Sequence, residues 1–320
     1  MSPPASQMLG SRLAGGSPPR AAPVPRNHGG QRVRHGRYGY VFASPFVACF
    51  ALLFVLPLGY ALYLSLFKNQ LVGGTVFAGL SNYTRALTDG QFIAGVGRVA
   101  LFFVMQVPVM LLLALLAALA IDSGLLRVAR VFRLGIFIPY AIPGVVATLM
   151  WGYLYGPSFG PIAQLAGKLH VGAPDFLGAG LMLPSIANVV TWEFTGYNMI
   201  ILYAALRTIP PELYEAASVD GASAWRVAWH IKIPALRPAL LLCLLFSVIG
   251  SFQLFTEPNL LQQLSPTVIG PSYTPNLYAY SLAFVSQEPD YAAAVSFLLG
   301  LVTVIVSYTV LFTASRRARR

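Results

Sequence analysis

Charged side chains are scarce in this chain: 10% of its 320 residues are Asp, Glu, Lys or Arg, against about 25% in an ordinary soluble domain. A water-soluble globule is thereby excluded. Acid is the scarcer sign, with ten Asp and Glu against 21 Lys and Arg and a net charge of +11. Only two cysteines occur, Cys49 and Cys243, each inside an apolar run. That excludes a disulfide framework and a Cys-based metal site, and reads both as small buried hydrophobes. The four histidines, at 28, 35, 170 and 230, form no metal-spaced pair. A G-x-x-x-x-G-K-[ST] phosphate loop is also missing, since Gly167-Lys168 is followed by Leu169. The chain is therefore expected to bind no cofactor or metal and to hydrolyse no ATP. The same missing clusters oppose a membrane-embedded enzyme.

What is abundant is apolar sequence, 57% of the residues. A helix rises about 1.5 Å per residue and must cross about 30 Å of hydrocarbon, so each crossing needs roughly twenty such residues. Six runs qualify, at about 41–67, 99–121, 134–155, 181–205, 239–261 and 291–314. The expected fold is an all-α integral membrane protein with six transmembrane helices. Residues 1–37 carry six prolines and six arginines without hydrophobic periodicity, and read as a disordered basic cytoplasmic tail. The first apolar run is too long for a cleaved secretory signal and is an anchor.

Basic residues fix the orientation, because Lys and Arg beside span ends stay on the cytoplasmic face. With both termini inside, seventeen of the 21 basic residues are cytoplasmic, and only Lys68, Arg85, Arg98 and Lys168 lie outside. The positive charge is thus topogenic, which leaves no case for nucleic-acid binding.

The most informative segment lies between the fourth and fifth runs, from Arg207 to Leu240. Pro210 and Pro211 stop the preceding span, and Glu212 and Glu215 place negative charge at the start of a helix over 212–219. Gly221 supplies a turn beside Asp220, and a second helix runs over about 222–233 until Pro234 ends it. Trp225, Ala228, Trp229 and Lys232 share one face of that helix. An aromatic face in water needs cover, from a partner protein, from the bilayer surface, or from the spans themselves.

Glu215-Ala216-Ala217, three residues, Gly221, nine residues, then Ile231, Lys232, Ile233 and Pro234 resembles the EAA loop of bacterial ABC importer permeases, EAA-x3-G-x9-I-x-L-P. A wider form, EAAxxDGAxxWxxFxxIxLPxLxP, resembles the carbohydrate-uptake permeases of the maltose type. It is matched at Asp220, Ala222, Trp225, Ile231, Pro234 and Pro238. Ile233 stands for the usual Leu, and Trp229 lies near the usual aromatic. Phe77-Ala78-Gly79-Leu80-Ser81-Asn82-Tyr83 is similar to the FxGLxNY stretch of the same permeases. Together these cover residues 38–320 as a type I importer transmembrane domain, with a cytoplasmic EAA coupling-helix loop between spans four and five.

The resemblance implies a permease subunit in the bacterial cytoplasmic membrane that translocates a sugar or oligosaccharide delivered by an extracytoplasmic binding protein. It implies a second permease, and two separate ATPase subunits that bind the ATP and Mg. Glu215 would accept a bond from a basic residue of the ATPase and Gly221 would keep the turn. Ala216, Ala217, Trp225 and Ile231 would fill its groove. Competing readings are a permease for a non-sugar solute and an ion- or proton-coupled carrier or channel.

Polar groups inside spans are costly against lipid and so mark pathways. Counting from the loop, Thr191, Tyr197 and Gln253 match pore-facing positions of the maltose-type family, and Gly250 lies on that stripe. Tyr197 and Gln253 together offer an aromatic face and an amide, the pairing a sugar ring requires. Asn198 and Phe246 are further pathway candidates, although Ser, Thr and Asn also serve simply to join helices. Glu193 would line the pathway, pair with Arg98, or snorkel to the interface, and an ion-driven carrier would need it for proton coupling.

Glu215→Lys or Gly221→Pro is expected to lower solute uptake while leaving membrane insertion intact, read from transport beside the amount of chain in the membrane fraction. Normal uptake by either variant would count against coupling through this loop.

Overall fold

The computed structural model describes residues 37–70, 73–124 and 127–318; the tail expected at the N-terminus lies almost wholly outside them. The chain divides into two units, residues 1–53 and 54–320. In the first, α1 (Arg37–Phe50) is apolar and Cys49 is exposed on it rather than buried. A π-helical turn follows at Ala51–Val55.

The second unit opens with α2 (Leu56–Ser65) and a short antiparallel hairpin, β1 (Phe67–Gln70) and β2 (Gly74–Phe77), in which Phe67 pairs with Phe77. The all-α expectation is corrected at this one point. The FxGLxNY-like stretch explains the hairpin's position. Asn82, buried at the start of α3 (Ser81–Thr88), donates to the carbonyls of Ser65 and Phe67 at 2.9 and 2.7 Å, and Tyr83 Oη meets Ser65 Oγ at 2.7 Å.

The long helix α4 (Gly90–Asp122) is capped by Asp89, which accepts from the Gln91 N–H. Tyr278 and Tyr291 also donate to Asp89, at 2.7 and 2.6 Å. Burial by itself would raise the Asp89 carboxyl, but these hydroxyls and the backbone N–H groups of Gln91 and Phe92 hold it below the usual carboxylate range. The cap ties α4 to α14 (Pro275–Phe284) and to the last helix, α15 (Pro289–Ala318). Asp290 on α15 accepts from the Asn69 N–H at 2.9 Å and fastens the hairpin to the same end.

Two of the expected spans are broken. The run at 134–155 is two helices, α5 (Ala129–Ala141) and α6 (Gly144–Tyr155), bent by 97°. Ile142 precedes Pro143, which pushes it out of the helical region to φ −79°, ψ 130°. After α7 (Pro161–Lys168) comes α8 (Met182–Leu206), close to its expected bounds. The run at 239–261 divides into α12 (Arg237–Phe252) and α13 (Thr256–Leu264). Pro258 has no N–H to offer the Leu254 carbonyl, and its ring would crowd that oxygen.

Among the described residues, three helical stretches are long and apolar enough to cross a membrane: Tyr40–Ser65, Gly90–Asp122 and Pro289–Ala314. Counting as one span each the bent pairs Ala129–Ala141 with Gly144–Tyr155 and Ala224–Ala235 with Arg237–Phe252 raises this to five. α8 has 25 residues, about 37 Å at 1.5 Å each, yet is less apolar than those three. Its surroundings account for that. Ser185, Glu193, Asn198 and seven apolar residues or more along it are buried by protein. α4 lies along it and α5, α6 and α12 touch it too.

Gly196 permits a close approach of α5. A Cβ there would collide with the Ile136 carbonyl and the Phe137 Cα. Gly196→Ala must part α5 from α8, and is expected to cost about 1–3 kcal/mol. The check is a lowered thermal aggregation midpoint in detergent. Gly300→Ala, where a Cβ meets nothing within 4 Å, is the control that should not lower it.

Candidate functional site

Two places gather the residues singled out in the sequence. The first is the loop after α8, where α9 (Pro211–Val219) begins with its proline in the first turn. The helix ends in a complete Schellman motif. The Ala222 N–H bonds the Ala217 carbonyl at 2.9 Å, the Gly221 N–H bonds the Ser218 carbonyl at 3.1 Å, and Gly221 adopts φ +69°. A side chain at 221 would be strained, which is why glycine stands there.

Ser223 then caps α10 (Ala224–Val227), which continues through a π-helical turn at Ala228–Lys232 into α11 (Ile233–Ala235). The expectation that Pro234 ends this helix is corrected. Pro234 sits in the first turn of α11 instead, and because it cannot donate to the His230 carbonyl the preceding turn widens, with the Ile233 N–H reaching Ala228. The chain then bends by 60° into α12.

Glu215, Ala216, Asp220 and Gly221 are exposed, while Ala217, Ala222, Ile231 and Pro234 are half-buried. Trp225 and Trp229 stack with centroids 5.8 Å apart, and stand 74% and 57% exposed. Neither packs back into the chain's apolar clusters.

The base of the loop is anchored by an ion pair that sequence reasoning missed. Lys232 Nζ meets Asp122 Oδ2 at 2.5 Å, with side chains only 13% and 9% exposed, at the last residue of α4. Tyr214 lies below Lys232, 5.5 Å from ring centroid to Nζ. Burial and the charge of Asp122 push its hydroxyl up, partly offset by Arg207. Leu236, fully buried among Leu206, Met199 and Ala118, adds an apolar pin.

The second place is a cavity of about 380 Å³ among α4, α5, α8, α12 and α13. Five of the sequence candidates line it: Tyr197, Asn198, Phe246, Gly250 and Gln253. Tyr140, which the sequence did not single out, stacks on Tyr197 at 4.8 Å and meets Phe194 edge-on at 5.7 Å. Gln253 is exposed toward this space and a Cβ at Gly250 would meet nothing. Asn198 donates to the Phe194 carbonyl at 3.0 Å and also reaches Met110, so part of its polarity is spent within the bundle.

Thr191 and Glu193 do not line the cavity. Thr191 lies behind Gln106, whose Nε2 is 3.4 Å from its hydroxyl. Glu193 is buried, 7% exposed, with its Oε2 lacking a hydrogen bond, and its Oε1 occupies the room left beside Gly144. The suggested pairing with Arg98 does not occur. Arg98 donates to the Tyr273 carbonyl at 2.6 Å and covers the Tyr273 ring. Glu257, on the cavity wall, was also passed over, although an acid beside a proline within an apolar run was visible in the sequence.

With this geometry in view, comparison with known proteins assigns the class. Residues 96–320 match the family of binding-protein-dependent transport system inner membrane components. The arabinooligosaccharides transport system permease protein AraP of Bacillus subtilis (strain 168) is 31% identical over 273 residues, covering 84% of this chain and 85% of that protein. The lactose transport system permease protein LacF of Rhizobium radiobacter is 30% identical over 287 residues, 87% and 94% of the two chains. A solved bacterial ABC transporter involved in the import of the acidic polysaccharide alginate shares the fold, with TM-score 0.75 at 21% identity over 88% of this chain and 95% of its own. The chain belongs to the binding-protein-dependent inner membrane components, among the carbohydrate-uptake ABC importer permeases. It is a multi-pass membrane protein and a transport permease subunit.

Lys232→Met is expected to strand the Asp122 carboxylate and to cost on the order of 3 kcal/mol, read as a lower aggregation midpoint in detergent. The swapped pair Lys232→Asp with Asp122→Lys should recover most of the loss. No recovery would mean that Lys232 acts through packing alone.

Proposed function

We propose that this chain is one permease of an ATP-driven importer that moves a sugar or oligosaccharide handed over by an extracytoplasmic binding protein. The observation that carries the reading is the loop from α9 to α11. It is a stiff helix pair with an exposed carboxylate and stacked, uncovered tryptophans, fixed at its base to α4 by Lys232 and Asp122. Such a projection is suited to a groove in another protein, and the arabinooligosaccharide and lactose transport systems of AraP and LacF support sugar as the cargo.

In this reading α8 counts as a span because protein encloses it. α5 with α6 counts as one span and α12 as another, giving six crossings with both termini in the cytoplasm. A second permease faces the cavity, and two ATPase subunits, holding ATP and Mg, seat the loops of the two permeases. Glu215 bonds a basic group of the ATPase, while Ala216, Ala217, Asp220, Ala222, Trp225 and Ile231 supply the seat's surface. ATP binds one arrangement of the ATPase pair better than the other, and that difference in affinity is the driving force. Closure displaces the loop as a rigid body, and the ion pair at its base passes the displacement to α4 and, through their long contact, to α8. Tyr197, Gly250 and Gln253 then border the route taken by the solute, with Asn198 and Phe246 beside them and Thr191 behind Gln106. Glu193 lies one layer behind.

The test is a pull-down of the tagged chain from detergent-solubilised native membranes. Wild type is expected to bring down an ATPase and a second permease, whereas Glu215→Lys and Trp225→Ala lose the ATPase and keep the permease. A chain that comes alone, or partners indifferent to both substitutions, would defeat ATP coupling through the loop.

A further inference from the structure

The inference concerns the charge of the cargo, and it rests on the cavity being the place where the solute pauses. Glu257 faces that cavity while only 8% exposed. Among the described residues its carboxylate has no hydrogen-bond donor other than its own backbone N–H. A buried carboxylate has about four acceptor positions and is costly when they stay empty. The wall holds no Lys, Arg or His that could neutralise it. Glu193, the other acid buried nearby, lies close enough for the two carboxyls to feel each other's charge. Glu257 also stands in the first turn of the nine-residue helix α13, where the helix dipole favours a negative group.

These features describe a carboxylate short of partners in a wall without a cation. The aromatic pair Tyr140 and Tyr197 offers a flat apolar face, and Gln253 an amide. Hydroxyls arriving on a sugar would fill the empty acceptor positions of Glu257. A carboxylate or phosphate on the sugar would instead meet like charge at low dielectric, with no cation in this wall to offset it.

We propose that Glu257 is a specificity-determining contact by which this permease accepts neutral sugars through their hydroxyl donors and turns away acidic ones.

The whole importer, with its native partners and binding protein, is reconstituted in proteoliposomes. Lactose, trehalose and arabinobiose serve as neutral probes and digalacturonate as the acidic one. An apolar carbodiimide, which caps buried carboxylic acids as N-acylureas, is mapped onto Glu257 by peptide mass spectrometry with and without each probe. A neutral sugar is expected to drive ATP-dependent uptake and to protect Glu257, while digalacturonate does neither. Glu257→Gln should lower uptake of that neutral sugar roughly tenfold, the loss of charge-assisted hydrogen bonds, in a complex that still co-purifies intact. Uptake of or protection by digalacturonate overturns the assignment, and so does equal labelling under every probe or undiminished neutral uptake by Glu257→Gln. The importer reading survives each of those results. Uptake that ignores ATP defeats the importer reading instead, and the labelling still decides whether Glu257 meets a neutral sugar.

Discussion

The enclosure of α8 is the constraint on which the rest depends. A helix carrying Asn188, Glu193, Asn198 and several hydroxyls cannot face hydrocarbon, where an unmet polar group costs several kcal/mol. Neighbouring elements and the helix's own carbonyls meet most of those groups, and among the described residues Glu193 Oε2 is the exception. Asn188 donates to the Tyr155 hydroxyl at 2.7 Å, Ser185 to the Phe176 carbonyl at 2.7 Å, and Thr195 to the Thr191 carbonyl. Gly196 allows α5 to approach closely enough to shield the centre. The helices that surround α8 also form the cavity, because a polar helix is where side chains able to meet a solute can be held.

From that enclosure follows a mechanical connection between the two functional places. α4 runs the length of α8, and its last residue, Asp122, holds Lys232 at the base of the projecting loop. Gln106, Phe102 and Met110, nearer its middle, stand in the cavity wall. One helix therefore touches both the loop and the cavity, and its packing along α8 joins them mechanically.

Much of this was legible in the sequence, and the rest was hidden for identifiable reasons. The loop could be read because local spacing fixes it: the Gly221 turn, the proline-started α9 and the stacked tryptophans all depend on neighbours within a few residues. The same holds for Asn82 and Tyr83, which reach back less than twenty residues to the end of α2. Hydropathy, by contrast, runs unbroken across Ile142 and across Gln253 to Phe255, so α5 with α6 and α12 with α13 each read as one straight span although Pro143 and Pro258 were there to suggest the breaks. Thr191 was assigned to the pathway by counting, but Val190, Phe194, Tyr197 and Asn198 carry the lining face and Thr191 stands a step round the helix. The ion pair joins residues 110 positions apart, which no window can register. Glu257 disappeared into an apolar average that tolerates one acid.

The exposed side of the cavity carries a consequence for assembly. Gln253, Gly250 and Phe246 border open space in this chain, and a lone copy in a bilayer would present an amide to acyl tails. Burying that strip against another polar surface removes the penalty. An uncovered strip of this kind makes the lone chain the higher-energy species, so the proposed pairing would gain from polar satisfaction as well as from shape. On the function proposed above, unequal synthesis of this chain and a partner permease would leave the excess as an energetically frustrated membrane protein, so a demand for balanced synthesis follows from that same wall.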